Sequence, residues 1–214
     1  MTTNRLEAFS DGIFAIAATL LVLDLHVPMV GRDGELLGEL ARLWPTYATY
    51  IVSFVTIGIM WVNHHAMFAN VERVDRPLLF LNLLLLLVVA VIPFPTSLLG
   101  AYVTAGEDSH IAAAVYGGVM VLMSVAFQLL WRYLSRDGGP LVSHLEPRQA
   151  RASTLLFSVG LFAYVLGIAV AWVSAPLSLL LYAAMAVYYM FPWLPGAQHR
   201  ASTGGAEHAE RPVG

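Results

Sequence analysis

The chain alternates between long apolar stretches and short polar ones, and this spacing predicts a series of membrane-crossing helices. A helix needs roughly 20 mainly apolar residues to cross a bilayer, because each residue adds only about 1.5 Å of length. Six stretches are long enough: residues 6–27, 44–68, 77–103, 110–134, 150–173 and 176–194. We therefore expect an all-α membrane protein whose residues 1–194 form one domain of six transmembrane helices.

Prolines and small polar residues mark the ends of these stretches. Three prolines stand where a helix would begin, the position that tolerates a missing N–H: Pro45, Pro77 and Pro176. Ser109 is a candidate N-cap for the fourth helix. Pro93 and Pro95 predict a kink or an early end in the third. The first loop, about residues 28–43, mixes charges with leucines and predicts a short interfacial helix.

Composition agrees with a membrane location. The chain of 214 residues is 58% hydrophobic and 12% charged, with a mean hydropathy of +0.71, whereas soluble domains carry about 25% charged residues. It contains no Cys, which excludes disulfides and thiolate metal sites. Residues 195–214 are rich in Gly, Ala, Glu, His and Arg and predict a disordered tail.

The arginines predict the orientation, because cytoplasmic loops carry an excess of positive charge. With a cytoplasmic N-terminus, the outer segments hold only Arg32 and Arg42. The inner segments hold nine: Arg5, Arg73, Arg76, Arg132, Arg136, Arg148, Arg151, Arg200 and Arg211. We expect a multi-pass protein of the inner (plasma) membrane with both termini in the cytoplasm. The first apolar stretch lacks the features of a cleaved signal peptide, so we expect it to be retained.

Polar side chains within the spans collect near the predicted cytoplasmic ends. Polar groups in a bilayer are costly and are therefore functional candidates. These come from three helices and share one depth: Arg5, Ser10, Asp11, Asn63, His64, His65 and Asn82. They predict a hydrogen-bonded cluster, which serves either as a scaffold between helices or in moving ions or protons.

The adjacent pair His64–His65 argues against a metal site. Neighbouring residues on a helix point about 100° apart, and a zinc-binding helix places its histidines four residues apart with a third ligand. We expect no metal, with one His facing the cluster and the other the interface. Since His titrates near neutral pH, sensitivity to pH is a further hypothesis.

The first helix carries an apolar stripe. At about 100° per residue one face holds Phe9, Ile16, Leu20 and Leu23. Asp11 lies about 140° from Ile16 and is expected to point into the protein. The stripe is either an ordinary lipid-facing or core surface or a pore wall that gates by dewetting. On the second interpretation, Asp24 and His26 lie at the outer mouth, where acidic groups attract cations.

Residues 5–11, Arg-Leu-Glu-Ala-Phe-Ser-Asp, fit the pattern R-x-x-x-F-S-D at the start of the first of six spans. This segment resembles the first-helix signature of the transmembrane protein 175 family of potassium channels, in its bacterial single-repeat form. The stretch Trp61-x-x-His64-His65 is similar to the end of that family's second helix.

The resemblance implies a homotetramer in which helix one of each subunit lines a central pore. It places the constriction at Ile16, further pore layers at Leu20 and Leu23, and a threonine layer implicated in selectivity at Thr19. It implies that the pore helix is supported by a polar network. With their neighbours, the expected network residues are Arg5, Phe9, Ser10, Asp11, Trp61, Asn63, His64, His65 and Asn82.

The sequence thus predicts a potassium-permeable cation channel of weak to moderate selectivity with a hydrophobic constriction. Its partners would be other copies of itself, the lipid bilayer and the permeant K⁺, without a cofactor or nucleic acid. The alternative is a proton-coupled secondary transporter that uses Asp11 and the His64/His65 cluster. An enzyme is not expected, because no nucleophile–base pair, metal constellation or nucleotide-binding loop is evident.

Overall fold

A computed structural model of the chain describes residues 3–29, 35–69, 71–136 and 147–190, with the backbone alone for 147–157. Eight α-helices lie within these ranges, and a short 3-10 turn, Leu21–Asp24, extends the first of them. The helices are α1 Thr3–Leu20, α2 Leu36–Arg42, α3 Trp44–Phe68, α4 Arg76–Val91, α5 Pro93–Tyr102, α6 Asp108–Leu134, α7 Pro147–Ala171 and α8 Ala175–Met190.

Four of the six expected spans are helices long and apolar enough to cross a membrane. They comprise Thr3–Asp24, Trp44–Phe68, Arg76–Tyr102 and Asp108–Leu134. The other two are represented by the shorter apolar helices Ser158–Ala171 and Ala175–Met190. Ser158–Ala171 is the part of α7 whose side chains the structure describes, and the whole of α7 has 25 residues. Helix α8, with 16 residues, measures roughly 24 Å, against roughly 30 Å for a bilayer core. The expected end of the sixth span at 194 and the expected tail, 195–214, lie outside the described residues. The count of six therefore stays a prediction.

The expected interruption of the third span is confirmed at Pro93, where α4 gives way to α5. Proline has no N–H to donate, so the backbone near it must find other partners. The Thr96 amide donates to the Ile92 carbonyl at 3.2 Å. The Thr96 hydroxyl lies 2.9 Å from that carbonyl and 2.8 Å from Ser53 Oγ, which contacts Tyr116 Oη at 3.1 Å. A buried polar group from α3, α5 and α6 thus stabilises the break.

Two local predictions have opposite outcomes. The first loop contains the expected short helix, α2. The expected capping of the fourth span by Ser109 is wrong, because the helix begins at Asp108 and already includes Ser109. The Ser109 hydroxyl instead donates to the Gly106 carbonyl at 2.6 Å. A residue that does cap a helix is Asp75, whose carboxylate accepts from the Leu78 amide at the start of α4 at 3.0 Å.

The helices are arranged around α6, which packs against α4, α5, α7 and α8. Close approach of α6, α7 and α8 depends on glycines. The Tyr182 ring of α8 lies against Gly117 and Gly167, and its hydroxyl donates to the Ala113 carbonyl at 3.1 Å. In contrast, α1 lies at the side of the bundle and packs mainly against α3 and α4. One face of α1 is therefore left uncovered by the other described residues.

Candidate functional site

The uncovered face of α1 and its short extension carries the stripe that the sequence predicts. Relative exposures are 50% for Phe9, 59% for Ile16, 43% for Leu20 and 70% for Leu23. Thr19 is also exposed, and its hydroxyl lies 2.9 Å from the Ala15 and Ile16 carbonyls. The opposite side is buried through Leu6, Ser10, Phe14, Ala17 and Leu21, a spacing of three and four residues. A single chain thus presents a continuous apolar face on which no residue of the described ranges is packed.

A buried chain of hydrogen bonds joins α1, α4 and α3, and its direction follows from its ends. The Ser10 hydroxyl donates to the Leu6 carbonyl at 2.9 Å, so its oxygen accepts from Asn82 Nδ2 at 3.0 Å. The Asn82 carbonyl oxygen then faces His64 Nε2 at 2.8 Å. Because a carbonyl oxygen can only accept, His64 carries its proton on Nε2. We refer to Ser10, Asn82 and His64 as the buried chain.

Two aromatic rings enclose the His64 imidazole. Phe68, one turn along α3, stacks on it with centroids 4.3 Å apart and planes 20° apart. Phe14 of α1 approaches from another side at 5.4 Å. Sequence reasoning missed both rings. The spacing of the residues was the available signal. Phe14 follows Ser10 by four residues, and Phe68 follows His64 by four, so each ring lies on the same helix face as the polar residue one turn before it.

Asp11 points toward α3, as the helical wheel predicts, but its side chain is exposed rather than enclosed by the protein. Its carboxylate is exposed and accepts from Trp61 Nε1 at 2.8 Å. Glu7 lies one turn before Asp11 on α1, and His65 lies one turn after Trp61 on α3. Their side chains are 3.8 Å apart, and the His65 ring stacks against the Trp61 ring with centroids 6.3 Å apart. We call these four residues the α1–α3 ladder. The helical wheel gives the direction of Asp11 correctly, but α3 covers less of that side than the wheel argument assumed.

A groove of about 340 Å³ continues from the ladder between α1 and α3. Asp11 and Trp61 lie at one end of it. Its walls are small or apolar, with Ala15 and Ala18 on α1 and Gly58 on α3. The groove adds to the uncovered surface of α1.

Three expected members of the cluster lie elsewhere. Phe9 belongs to the uncovered face, and Arg5 is exposed without a polar partner among the described residues. Asn63 lies on another side of α3, where it lines a cavity formed with α6, α7 and α8. The single expected cluster is therefore two groups, the buried chain and the α1–α3 ladder, because successive residues of one helix face different neighbours.

The expected outer-mouth residues follow directly after α1. Asp24 ends the 3-10 turn and is half-buried, whereas His26 is exposed. The His26 Nδ1 atom lies 2.8 Å from the Asp24 backbone carbonyl. Neither forms a metal site here, since the described part of the chain holds no group of three or more His, Cys, Asp or Glu side chains suited to a metal.

Sequence reasoning also missed a polar contact between the start of α4 and the end of α6. The Tyr133 hydroxyl donates to Asp75 at 2.5 Å, and the Arg136 guanidinium lies over the Tyr133 ring at 4.0 Å. Partial burial acts to raise the pKa of Asp75. Two hydrogen bonds, from Tyr133 and the Leu78 amide, and the nearby positive charge of Arg136 lower the pKa by more than burial raises it. The pKa of Asp75 therefore lies below its ordinary value. An Asp directly before an Arg-Pro helix start was the overlooked sequence signal.

Comparison with known proteins identifies relatives along most of the chain. The sequence model of the family described as "Endosomal/lysosomal potassium channel TMEM175" matches residues 5–93. A potassium channel of Streptomyces collinus is 50% identical over 193 residues, which cover 90% of this chain and 94% of that protein. An "Endosomal/lysosomal proton channel TMEM175" of Gallus gallus is 37% identical over 142 residues, covering 61% of this chain and 28% of that protein.

Solved structures give a consistent result. The crystal structure of a lysosomal potassium-selective channel TMEM175 homolog from Chamaesiphon minutus is 36% identical, with a TM-score of 0.78. The match covers 88% of this chain and 96% of that one. The potassium channel MtTMEM175, at 21% identity and a TM-score of 0.58, shares the fold.

Proposed function

Because the chain belongs to the TMEM175 family, we propose that it is a potassium-permeable channel of weak to moderate selectivity. Ions would move passively through a hydrophobic constriction formed by α1. The observation that carries this proposal is the uncovered apolar face of α1, which includes Ile16 at 59% and Leu23 at 70% exposure. The relatives named as potassium channels extend over nearly the whole chain, so the likeness is not confined to the first helix.

We propose a homotetramer as the assembly that would turn this face into a pore wall. A single copy of α1 cannot enclose an axial pore, whereas four copies facing one axis can do so with Ile16 as the narrowest ring. Branched apolar side chains at such a ring disfavour water, which makes ion passage depend on the ring's width. Leu20 and Leu23 would form the next layers, and Thr19 would supply hydroxyl oxygens beside the constriction.

The polar groups of α1 would support the pore wall and leave the ion untouched. The buried chain ties Ser10 to α4 and then to α3 through two consecutive hydrogen bonds of 3.0 Å or less. The α1–α3 ladder adds Asp11 and Trp61 along the same helix pair. Holding α1 on both helices would resist the tilt or rotation that changes the width of the Ile16 ring. Arg5, which has no described partner within one chain, is available to contact a neighbouring subunit.

We propose the inner (plasma) membrane as the location, with both termini in the cytoplasm. Nine of eleven arginines fall on the inner side in that orientation. The outer mouth then carries Asp24 and His26, and the carboxylate of Asp24 would raise the local concentration of cations. The buried chain and the ladder lie toward the inner side.

A proton-coupled transporter that uses Asp11, His64 and His65 is the second candidate. The break between α4 and α5 at Pro93 favours it, since discontinuous helices are common at transporter binding sites. Against it, Thr96 and Ser53 already satisfy the polar groups at this break. Asp11 and His64 also belong to separate hydrogen-bonded groups among the described residues.

The deciding experiment compares currents through wild-type protein and the variant Ile16→Asn in planar bilayers under a K⁺ gradient. A smaller, polar side chain eases hydration of the constriction. If the barrier falls by about 1.4 kcal/mol, conductance rises roughly tenfold. The reversal potential should follow the K⁺ gradient and lie near zero when a pH gradient alone is imposed.

The matched control is Leu87→Asn, which places the same side chain on α4 at a residue that is 62% exposed. It should leave conductance unchanged. Absence of current from wild type and Ile16→Asn under several conditions would remove the channel proposal. Coupled uptake with a potential set by pH would favour the transporter.

A further inference from the structure

Positively charged side chains lie where α4 begins and α6 ends. Two of them are close to the start of α4 and two are one turn apart at the end of α6, and all four are exposed: Arg73, Arg76, Arg132 and Arg136. The same two segments hold two acidic side chains, Glu72 and Asp75. The arginines outnumber the acids, so this end of the α4–α6 pair carries a net positive charge.

The carboxylate of Asp75 joins the two helix ends and is already engaged by the protein. One of its oxygens accepts from the Leu78 amide at 3.0 Å, and the other accepts from the Tyr133 hydroxyl at 2.5 Å. The positive charges of Arg136 and Arg73 both act on this carboxylate. Arginines from the two helices therefore lie close to one point on the surface.

Aromatic rings hold two of the guanidinium groups in place. Arg136 lies over the Tyr133 ring, 4.0 Å from its centroid, and donates to the Tyr133 hydroxyl at 3.0 Å. Arg76 lies over the Phe80 ring at 5.8 Å. A guanidinium has five N–H donors in one plane, so one hydrogen bond leaves most of them for a ligand. Because the groups are already oriented, they lose less conformational entropy on binding an oxyanion than freely moving side chains lose.

An exposed apolar stripe continues from the arginines along each helix. On α4 it follows Arg76, and on α6 it precedes Arg132, in both cases at spacings of three and four residues. Each stripe residue is at least 37% exposed: Phe80, Leu83, Leu84 and Leu87 on α4, and Leu129, Val125 and Leu122 on α6. Guanidinium groups at the end of an apolar stripe match a phospholipid, in which a charged head adjoins long alkyl chains.

We propose that this end of the α4–α6 pair binds the headgroup of an anionic phospholipid of the inner leaflet. This rests on the proposed membrane orientation, which puts these residues on the cytoplasmic side. The lipid phosphate accepts from the guanidinium of Arg136, Arg76 adds positive charge, and an acyl chain lies along an apolar stripe. Arginine suits a phosphate because its planar group can form two parallel hydrogen bonds with it.

Native mass spectrometry of the purified protein in detergent counts bound lipids directly. Phosphatidylglycerol should bind saturably, at least fivefold more tightly than phosphatidylcholine with the same acyl chains, because only the former has a net negative charge. Equal affinity for the two lipids would overturn the proposal. Since no current is measured, this outcome is independent of whether the protein conducts K⁺.

Glycerophosphoglycerol, which is the same headgroup without acyl chains, distinguishes a lipid site from a site for a free phosphate. At the same concentration as the lipid it should not displace bound phosphatidylglycerol, because it makes no contact with the apolar stripes. Displacement with equal potency would show that the arginines bind the phosphate alone, and would overturn the assignment to a lipid.

Substitutions test whether the site is defined or the attraction is diffuse. Arg136→Gln and Arg76→Gln should each weaken phosphatidylglycerol binding about fivefold. Arg136→Lys keeps the charge but loses the planar group, and should weaken binding about threefold. The matched control is Arg42→Gln, which removes an exposed arginine that precedes α3 and pairs with Glu39 at 2.7 Å. It should leave binding unchanged. An equal loss in Arg42→Gln and Arg136→Gln, or full affinity in Arg136→Lys, would overturn the proposed site.

Discussion

Asn82 is the residue through which α1, α3 and α4 are joined. Its side chain is fully buried and donates to Ser10 while accepting from His64. In an apolar interior, a polar group that loses its hydrogen-bond partner lowers the stability of the fold. Asn63, only one residue before His64 on α3, makes no comparable contact. Two amides in one bundle therefore have very different structural roles.

Replacement of Asn82 by Leu should lower the free energy of unfolding by about 2 kcal/mol, because a buried acceptor on Ser10 and a buried donor on His64 lose their partners. Asn63→Leu is the matched control and should change stability by no more than about 0.5 kcal/mol. Unfolding in mixed micelles, followed by circular dichroism, measures both. Equal losses for the two variants would contradict a structural role for the buried chain.

At Asp75 we expect a dependence of stability on pH. The pKa of its carboxyl is depressed in the folded protein from 3.8. Its ionised form therefore stabilises the fold above that value, and the contribution is lost as the pH falls below it. Asp75→Asn retains a helix cap without titrating, so it should lose less stability than wild type between about pH 6 and about pH 3. Thermal midpoints of the two proteins at both pH values test this. Identical acid sensitivity would argue against it.

At the scale of helices, the contact of α8 with α6 and α7 depends on one aromatic ring between two glycines. A Cβ added at Gly167 would lie 2.3 Å from Tyr182 Cε1, and one at Gly117 would lie 2.4 Å from its hydroxyl. The ring is also held by its hydrogen bond to the Ala113 carbonyl, so it cannot simply move aside. Glycine is needed at these positions for close approach and not for an unusual backbone angle.

Gly167→Ala should therefore destabilise the protein by about 1–3 kcal/mol through overpacking. Gly118→Ala, next to Gly117 on α6, meets nothing within 4 Å. It should be neutral or stabilise by up to about 1 kcal/mol, since Ala favours a helix over Gly. Unfolding midpoints in detergent distinguish the two. A stabilised Gly167→Ala protein would show that α7 and α8 pack differently.

At the scale of the whole molecule, the uncovered face of α1 is the surface through which the proposed tetramer would assemble. In a bilayer, an apolar face can contact lipid at no cost, so exposure alone does not require a partner. The proposed tetramer predicts in addition that four copies of Ile16 lie close together near one axis. The chain contains no Cys, which makes this proximity testable with a single introduced thiol.

Ile16→Cys should form disulfide-linked dimers rapidly under mild oxidation in the membrane, because disulfides form only between Cα atoms within about 7 Å. Phe162→Cys is the control, on α7, with an exposure of 73%. It should cross-link slowly or not at all. Gel mobility without reductant reads out both. Failure of Ile16→Cys to cross-link, together with a monomeric mass in detergent, would contradict the axial arrangement.

The sequence by itself determined the helical class, four of the spans and the break at Pro93, because these depend on local length, hydropathy and backbone chemistry. It also identified the exposed stripe of α1 and three residues of the buried chain. These residues are spaced along single helices, where a period of 3.6 fixes direction. The family resemblance, based on residues 5–11, was confirmed by relatives that match most of the chain.

Only the tertiary structure decided which polar side chains meet. Asn63, His64 and His65 are consecutive, yet they face a cavity, the buried chain and the α1–α3 ladder respectively. The helical period predicts their divergence, but the neighbour that each encounters depends on how α3 packs against five other helices. The exposed position of Asp11 and the rings around His64 have the same origin. Contacts between distant segments are set by packing, which no local pattern encodes.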